Sequence, residues 1–149
     1  MAATVNIFTY VEILGAGPNK VIGSKTVPVS VSLDSTNPEI FTARHQVAQT
    51  TATEILRVGT SAGDDIQAFK VLIIKPEDAC TISWESGDAT DNSSVDVAAG
   101  HILILTSDDT TDYAATGALR VAATTDLIEK VYAYRDASGT KYVDVTALY

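Results

Sequence analysis

Short apolar runs separated by polar, turn-forming residues recur along this chain. The second half shows the pattern most plainly. It carries Phe69-Lys70-Val71-Leu72-Ile73-Ile74-Lys75, Cys80-Thr81-Ile82-Ser83-Trp84, His101-Ile102-Leu103-Ile104-Leu105, Leu119-Arg120-Val121-Ala122 and Val131-Tyr132-Ala133-Tyr134. Each run has strand length, is rich in β-branched or aromatic residues, and is closed by Asp, Gly, Ser or Pro. Phe69–Ile74 and Ile102–Leu105 are apolar on both faces, which predicts two strands covered from two sides. Ile82 and Trp84 are predicted to point inward from their strand. Val27, Val29, Val31 and Leu33 alternate with Pro28, Ser30 and Ser32 at period two, as in a half-buried strand. Pro28 has no amide hydrogen to donate, so that strand belongs at an edge or pairs on one side only. Phe41, Ala43, His45 and Val47 alternate in the same way, and Glu54–Val58 follows as a further strand.

The turns are as legible as the strands. Gly15-Ala16-Gly17-Pro18-Asn19-Lys20 ends a first apolar run over Thr4–Leu14, and Asp34-Ser35-Thr36-Asn37-Pro38 is a loop. Gly59–Asp65, Ser86–Ser94, Ala98-Ala99-Gly100 and Ser107–Asp112 read as turns or loops, and Val95 and Val97 as a short strand. Asp126 and Glu129 have capping-box spacing, so Thr125–Lys130 is compatible with a helix start. A turn into the strand Val131–Tyr134 is preferred on β-propensity. Asp136-Ala137-Ser138-Gly139 predicts a hairpin turn with Gly in the left-handed position, and Tyr142, Val143 and Val145 its return strand.

About ten short strands at hairpin-like spacing predict an all-β fold, an antiparallel β-sandwich or a barrel, with an N-terminal arm or extra hairpin. The expected division is an arm or edge strands over residues 1–38 and a sandwich over 39–149. No repeat of fixed period is present, which disfavours a propeller or solenoid.

The chain has 149 residues, enough for one domain that buries roughly 70% of its unfolded surface. Its net charge is −9, from ten basic and nineteen acidic residues. With no basic stripe, the attraction that drives phosphate-backbone binding is missing, so no nucleic-acid partner is expected. No stretch approaches the ~20 apolar residues of a membrane-spanning helix, so no membrane partner is expected either. The start, Met-Ala-Ala-Thr-Val-Asn, lacks the basic and apolar regions of a signal peptide, and synthesis in cytoplasm is the expectation.

Candidate chemistry is sparse. His45 and His101 have no metal-ligand spacing, and Cys80, the single cysteine, has no CxxC partner. A buried structural thiol is the expected state of Cys80. Asp88, Asp91 and Asn92 share one loop, and Asp108, Asp109 and Asp112 another, but neither matches an EF-hand pattern. Glu54, Glu85 and Glu129 do not define a carboxylate pair across a cleft. No P-loop, GxGxxG or GxSxG occurs. No catalytic, cofactor or metal residue is assigned, and an enzyme is not expected. Tyr132, Tyr134, Tyr142 and Tyr149 cluster late in the chain. They read either as an exposed binding patch or as residues lining one face of the sheet, the second being preferred.

Four segments carry a family resemblance: Val47–Ile55, Phe69–Ile74, Gly100–Asp109 and Leu127–Tyr134. With them, residues 39–149 resemble the small all-β virion structural proteins of tailed bacteriophages, of the capsid decoration or cement type. The resemblance implies a jelly-roll sandwich on the capsid surface, bound to the major capsid protein or other virion proteins. It also implies a homo-oligomer, with a trimer favoured, made in the host cytoplasm. On that reading Ala2–Leu14 is the candidate arm, and Val5, Ile7, Tyr10, Ile13, Tyr142, Leu148 and Tyr149 are candidate interface residues. The alternative is a carbohydrate- or receptor-binding sandwich of a tail or fibre, which expects Trp84 or the tyrosines to be exposed.

Overall fold

The computed structural model describes residues 4–8, 10–13, 20–23, 26, 28–33, 40–86, 92–106 and 128–148. Among these residues there is no helix, and the chain forms twelve strands. The first four are β1 (Thr4–Ile7), β2 (Tyr10–Ile13), β3 (Lys20–Gly23) and β4 (Val29–Ser32). Next come β5 (Ile40–Val47), β6 (Thr53–Arg57), β7 (Val71–Pro76) and β8 (Cys80–Ser86). The last are β9 (Asn92–Val97), β10 (Leu103–Thr106), β11 (Ile128–Tyr134) and β12 (Lys141–Leu148).

Eight of these strands build a β-sandwich. One antiparallel sheet has the order β10-β7-β12-β5 and the other the order β6-β11-β8-β9. From β5 to β12 the chain alternates between the sheets at every step except β8 to β9. Alternate residues face the shared core: Leu72 and Ile74 from β7 and Val143, Val145 and Ala147 from β12 meet Ile82, Trp84, Val131 and Ala133. Each large apolar side chain buried there contributes about 1.5–3 kcal/mol. In β6 the register with β11 skips Ile55, since Val131 pairs with Leu56 and Tyr132 with Glu54. That bulge turns two consecutive residues, Ile55 and Leu56, into the core.

The first four strands form two antiparallel pairs outside both sheets, β1 with β4 and β2 with β3, together called the ribbon. The register pairs like with like: Val5 with Val31 and Ile7 with Val29, but Asn6 with Ser30. The Ser30 hydroxyl donates to Asn6 Oδ1 at 2.8 Å.

Several expectations hold. β7 is central, β5 carries Phe41, Ala43, His45 and Val47 on its more buried side, and Trp84 is only 8% exposed. Following Pro28, β4 pairs on one side only among the described residues. Gly139 has φ 85°.

Others are corrected. The first apolar run is two strands, β1 ending at Ile7 and β2 opening at Tyr10, and Lys20, read as turn, opens β3. That strand has only Val21 and Ile22 as apolar residues, too few to show a period. Among the described residues the run Ile102–Leu105 is an edge strand rather than one buried on both faces. Leu103 and Leu105 are buried, but Ile102 is 57% exposed. A four-residue aliphatic run reads the same at an edge as at a centre. β11 and β12 do not form a hairpin, because they lie in different sheets. Their connection is an arch across the end of the sandwich, pinned by a buried arginine described below. The polar loop after Trp84 is shorter than expected, β8 running to Ser86 and β9 starting at Asn92. The acidic loop Ser107–Asp112, the strand at Leu119 and Val121, and residues Thr125–Leu127 lie outside the described residues.

Two backbone angles at the arched end carry opposite predictions. Thr50 sits at φ 61°, a left-handed conformation that costs a β-branched residue about 1–2 kcal/mol. Thr50→Asn is expected to raise stability by about 1 kcal/mol, since Asn tolerates that region. Gly139→Ala is expected to lower it by about 1–2 kcal/mol through backbone strain alone, because a Cβ there meets nothing within 4 Å. Urea unfolding of both variants checks the two signs.

Candidate functional site

The candidate interface residues fall into two groups. Val5 and Ile7 lie on β1, and Tyr10 and Ile13 on β2, opposite Gly23 and Lys20. Tyr142 and Leu148 lie on β12, at opposite ends of the outer face of its sheet. Tyr149 is outside the described residues. The structure therefore places a ribbon group and a sheet-face group and does not merge them.

Registers define the outer face around β12. One cross-strand row reads Thr106, Val71, Leu148, Ile40, and the next Ile104, Ile73, Thr146, Thr42. The third reads Lys75, Asp144, Arg44. Two rows are thus rich in aliphatic residues and the third is charged. Arg44 gathers the charged end. Its guanidinium lies 2.8 Å from Glu77 and 3.6 Å from Asp144, and 4.6 Å above the Tyr142 ring. Exposed pairs of this kind contribute about 0–1 kcal/mol. They orient Tyr142 rather than hold the fold.

Three exposed apolar residues were not singled out from sequence as interface candidates: Phe8 at 53%, Ile40 at 67% and Ile102 at 57% exposure. Ile40 had a signal, since its parity is opposite to that of the inward residues of β5. Phe8 had none, because it lies where one apolar run breaks in two.

The opposite outer face is polar. Tyr132 and Tyr134 alternate with buried Val131 and Ala133 along β11, so both tyrosines line one face, as preferred from sequence. The Tyr132 hydroxyl donates to Glu85 at 3.4 Å, and Lys130 lies 3.8 Å from the same carboxylate. Partial burial, with Glu85 and Glu54 nearby, raises the Tyr132 phenol above its ordinary value. Trp84 presents no exposed ring for stacking.

The arched end is held by Arg135, which is 1% exposed. Its guanidinium donates to Asp78 at 2.8 Å, to the Gly139 carbonyl at 3.0 Å and to the Val47 carbonyl at 3.4 Å. Its Nε has no partner. The Thr50 amide donates to the Arg135 carbonyl, the Glu77 amide to Tyr142 and the Gly100 amide to Pro76. Four sheet-to-sheet connections are laced together there. The Ala79 amide, and then Arg135, hold the Asp78 carboxyl below its usual range. A depressed folded-state value stabilises above the unfolded one and is lost as pH falls through the folded one. Acid unfolding of the native chain is therefore expected to steepen below pH ~4, where free Asp protonates. Asp78→Asn is expected to flatten that limb in a pH series of melting curves.

Burial pushes the Cys80 thiol up to about 11, so at neutral pH it is protonated and a poor nucleophile. His45 faces inward from β5 with Nε2 buried and unpartnered, and His101 is exposed before β10. Among the described residues no group of three or more His, Cys, Asp or Glu is placed to hold a metal ion. No described helix is long and apolar enough to cross a membrane.

The arrangement defines an all-β sandwich with an appended ribbon. No protein-family model, curated protein or solved structure matches the chain.

Proposed function

We propose that this chain is a virion structural protein, a decoration or cement subunit that binds and stabilises the shell of major capsid protein of a tailed bacteriophage as a homo-oligomer. The observation that carries the reading is the order of strand pairing. Counting from β5, the first of the eight sandwich strands pairs with the eighth, the second with the seventh, the third with the sixth and the fourth with the fifth. One long hairpin bent over into two sheets is the pairing order expected of a jelly roll and supports that reading of the sandwich, an architecture used by viral capsid and lectin domains. Fold alone does not choose between those roles. The ribbon favours assembly, because an appended element of two strand pairs, with exposed Phe8 between β1 and β2, is a means of reaching a neighbour. The lectin-like alternative draws less support, since Trp84 is buried and Tyr134 and Tyr142 stand on opposite outer faces.

Co-sedimentation tests the proposal. The purified chain is mixed with capsids built from the major capsid protein encoded alongside it. Saturable binding at a fixed ratio per capsomer is the expected result. Absence of binding to expanded, mature shells would overturn the proposal.

A further inference from the structure

The charge of this chain is unevenly divided. Residues 1–38 hold Lys20 and Lys25 against Glu12 and Asp34, a balance of zero, so the whole −9 falls on residues 39–149. Two sandwich bodies of that charge repel on approach. The ribbon escapes the repulsion, and residues 20–33 of its return half carry two lysines and no carboxylate.

The ribbon also lacks a backbone partner. Among the described residues neither of its edges is joined by a further strand, and a two-stranded ribbon standing alone is marginal in water. Its edges are unequal. The outgoing edge is β1 and β2, with no proline between Thr4 and Ile13. The return edge has Pro28 directly before β4. Proline has no amide hydrogen to give a new strand. The outgoing edge therefore offers the fuller set of backbone donors.

The body offers one matching edge. β5 is the outermost strand of its sheet, and its eight residues stay in unbroken register with β12. Among the described residues nothing pairs with its other side. A long, regular, open edge of this kind is a template for another strand. The competing edges are weaker templates. β10 has four residues, β6 has five and a bulge, and β9 presents Ser93, Ser94 and Asp96. The lengths also agree: β5 has eight residues, ~26 Å at about 3.3 Å per residue, and β1 and β2 together have eight.

We infer that the outgoing edge of the ribbon pairs with β5 of a second copy of this chain, continuing the β10-β7-β12-β5 sheet across the subunit boundary. The inference rests on the assembly reading and specifies its contact. Each copy offers one ribbon and one β5 edge, so the contact joins unlike surfaces and closes either by reciprocal exchange in a dimer or as a ring such as a trimer.

Cross-linking of mixed full-length chains tests it. One preparation carries Thr4→Cys, the other a mass tag and either Thr42→Cys or Gln46→Cys, one for each strand direction, and buried Cys80 stays in place. A short bismaleimide is expected to link the two into a heterodimer at one of the two β5 positions. That product is expected to be lost when Ser94→Cys on β9 replaces the β5 cysteine. Light scattering on untreated protein gives the oligomeric state. Oligomers without a product at either β5 position, or with equal product at Ser94, overturn this contact and leave the assembly reading standing. A monomer that still binds capsids does the same. A monomer that binds no capsid removes both.

Discussion

Replacing Arg135 with alanine is expected to lower the free energy of unfolding by about 3 kcal/mol, at the lower end for breaking a buried ion pair from one side. The low end applies because the carboxylate left behind, Asp78, is about one-third exposed and regains water. Three losses remain: a cavity at the arched end, and the Gly139 and Val47 carbonyls stripped of their donors. Total stability of a domain this size is about 5–15 kcal/mol, so the loss is a large fraction of it. Arg135→Met separates the terms. It refills most of the volume and restores no hydrogen bond, so it should fall between wild type and Arg135→Ala. The comparison is made by urea unfolding at neutral pH, followed by far-UV circular dichroism. Equal midpoints for Arg135→Ala and wild type would show that the arches close without the guanidinium.

Arg135 also marks where the sequence stopped being readable. The strand Val131–Tyr134 and the Gly139 turn were both evident, and together they suggested a hairpin. What sends β12 into the opposite sheet is a side chain at the end of β11 that reaches carbonyls and a carboxylate far from it in sequence. Nothing local announces that one arginine is buried. The core of the sandwich was legible for the opposite reason. Alternation at period two in β5, and apolar runs in β7 and β8, report burial directly, because each residue type answers to its own face. Edge against centre was not legible for Ile102–Leu105, since backbone pairing leaves no mark in a short aliphatic run. The candidate interface was legible by half. Val5, Ile7, Tyr10 and Ile13 stood out as an apolar strand, whereas the pairing of β2 with β3 rests on Val21 and Ile22 alone. The β12 residues were chosen as apolar and aromatic types near the chain end. Their shared outer face appears only when the registers with β5 and β7 are known.

Trp84→Ala is expected to cost about 3–5 kcal/mol, the range for deleting a large aromatic side chain from a core. Trp84 belongs to the central core cluster and lies on β8 between Val131 of β11 and Ser93 of β9. Removing it empties space between the two sheets that β8, held by pairing on both sides, cannot close. A loss of that size leaves a marginal fold, so soluble yield and thermal midpoint should both fall. Being the only tryptophan, Trp84 also reports on its own surroundings. In the native chain its emission should be blue-shifted and resist quenching by acrylamide, and it should stay unchanged on addition of glycans. Docking of other protein copies on the outer faces should leave it unchanged too, because its ring is turned to the core. Strong quenching in the native state would place the ring in solvent and return the lectin-like reading to the front. Weak quenching, together with a large destabilisation in Trp84→Ala, ties the residue to packing and moves the search for a binding surface to the ribbon, β5 and the outer face around β12.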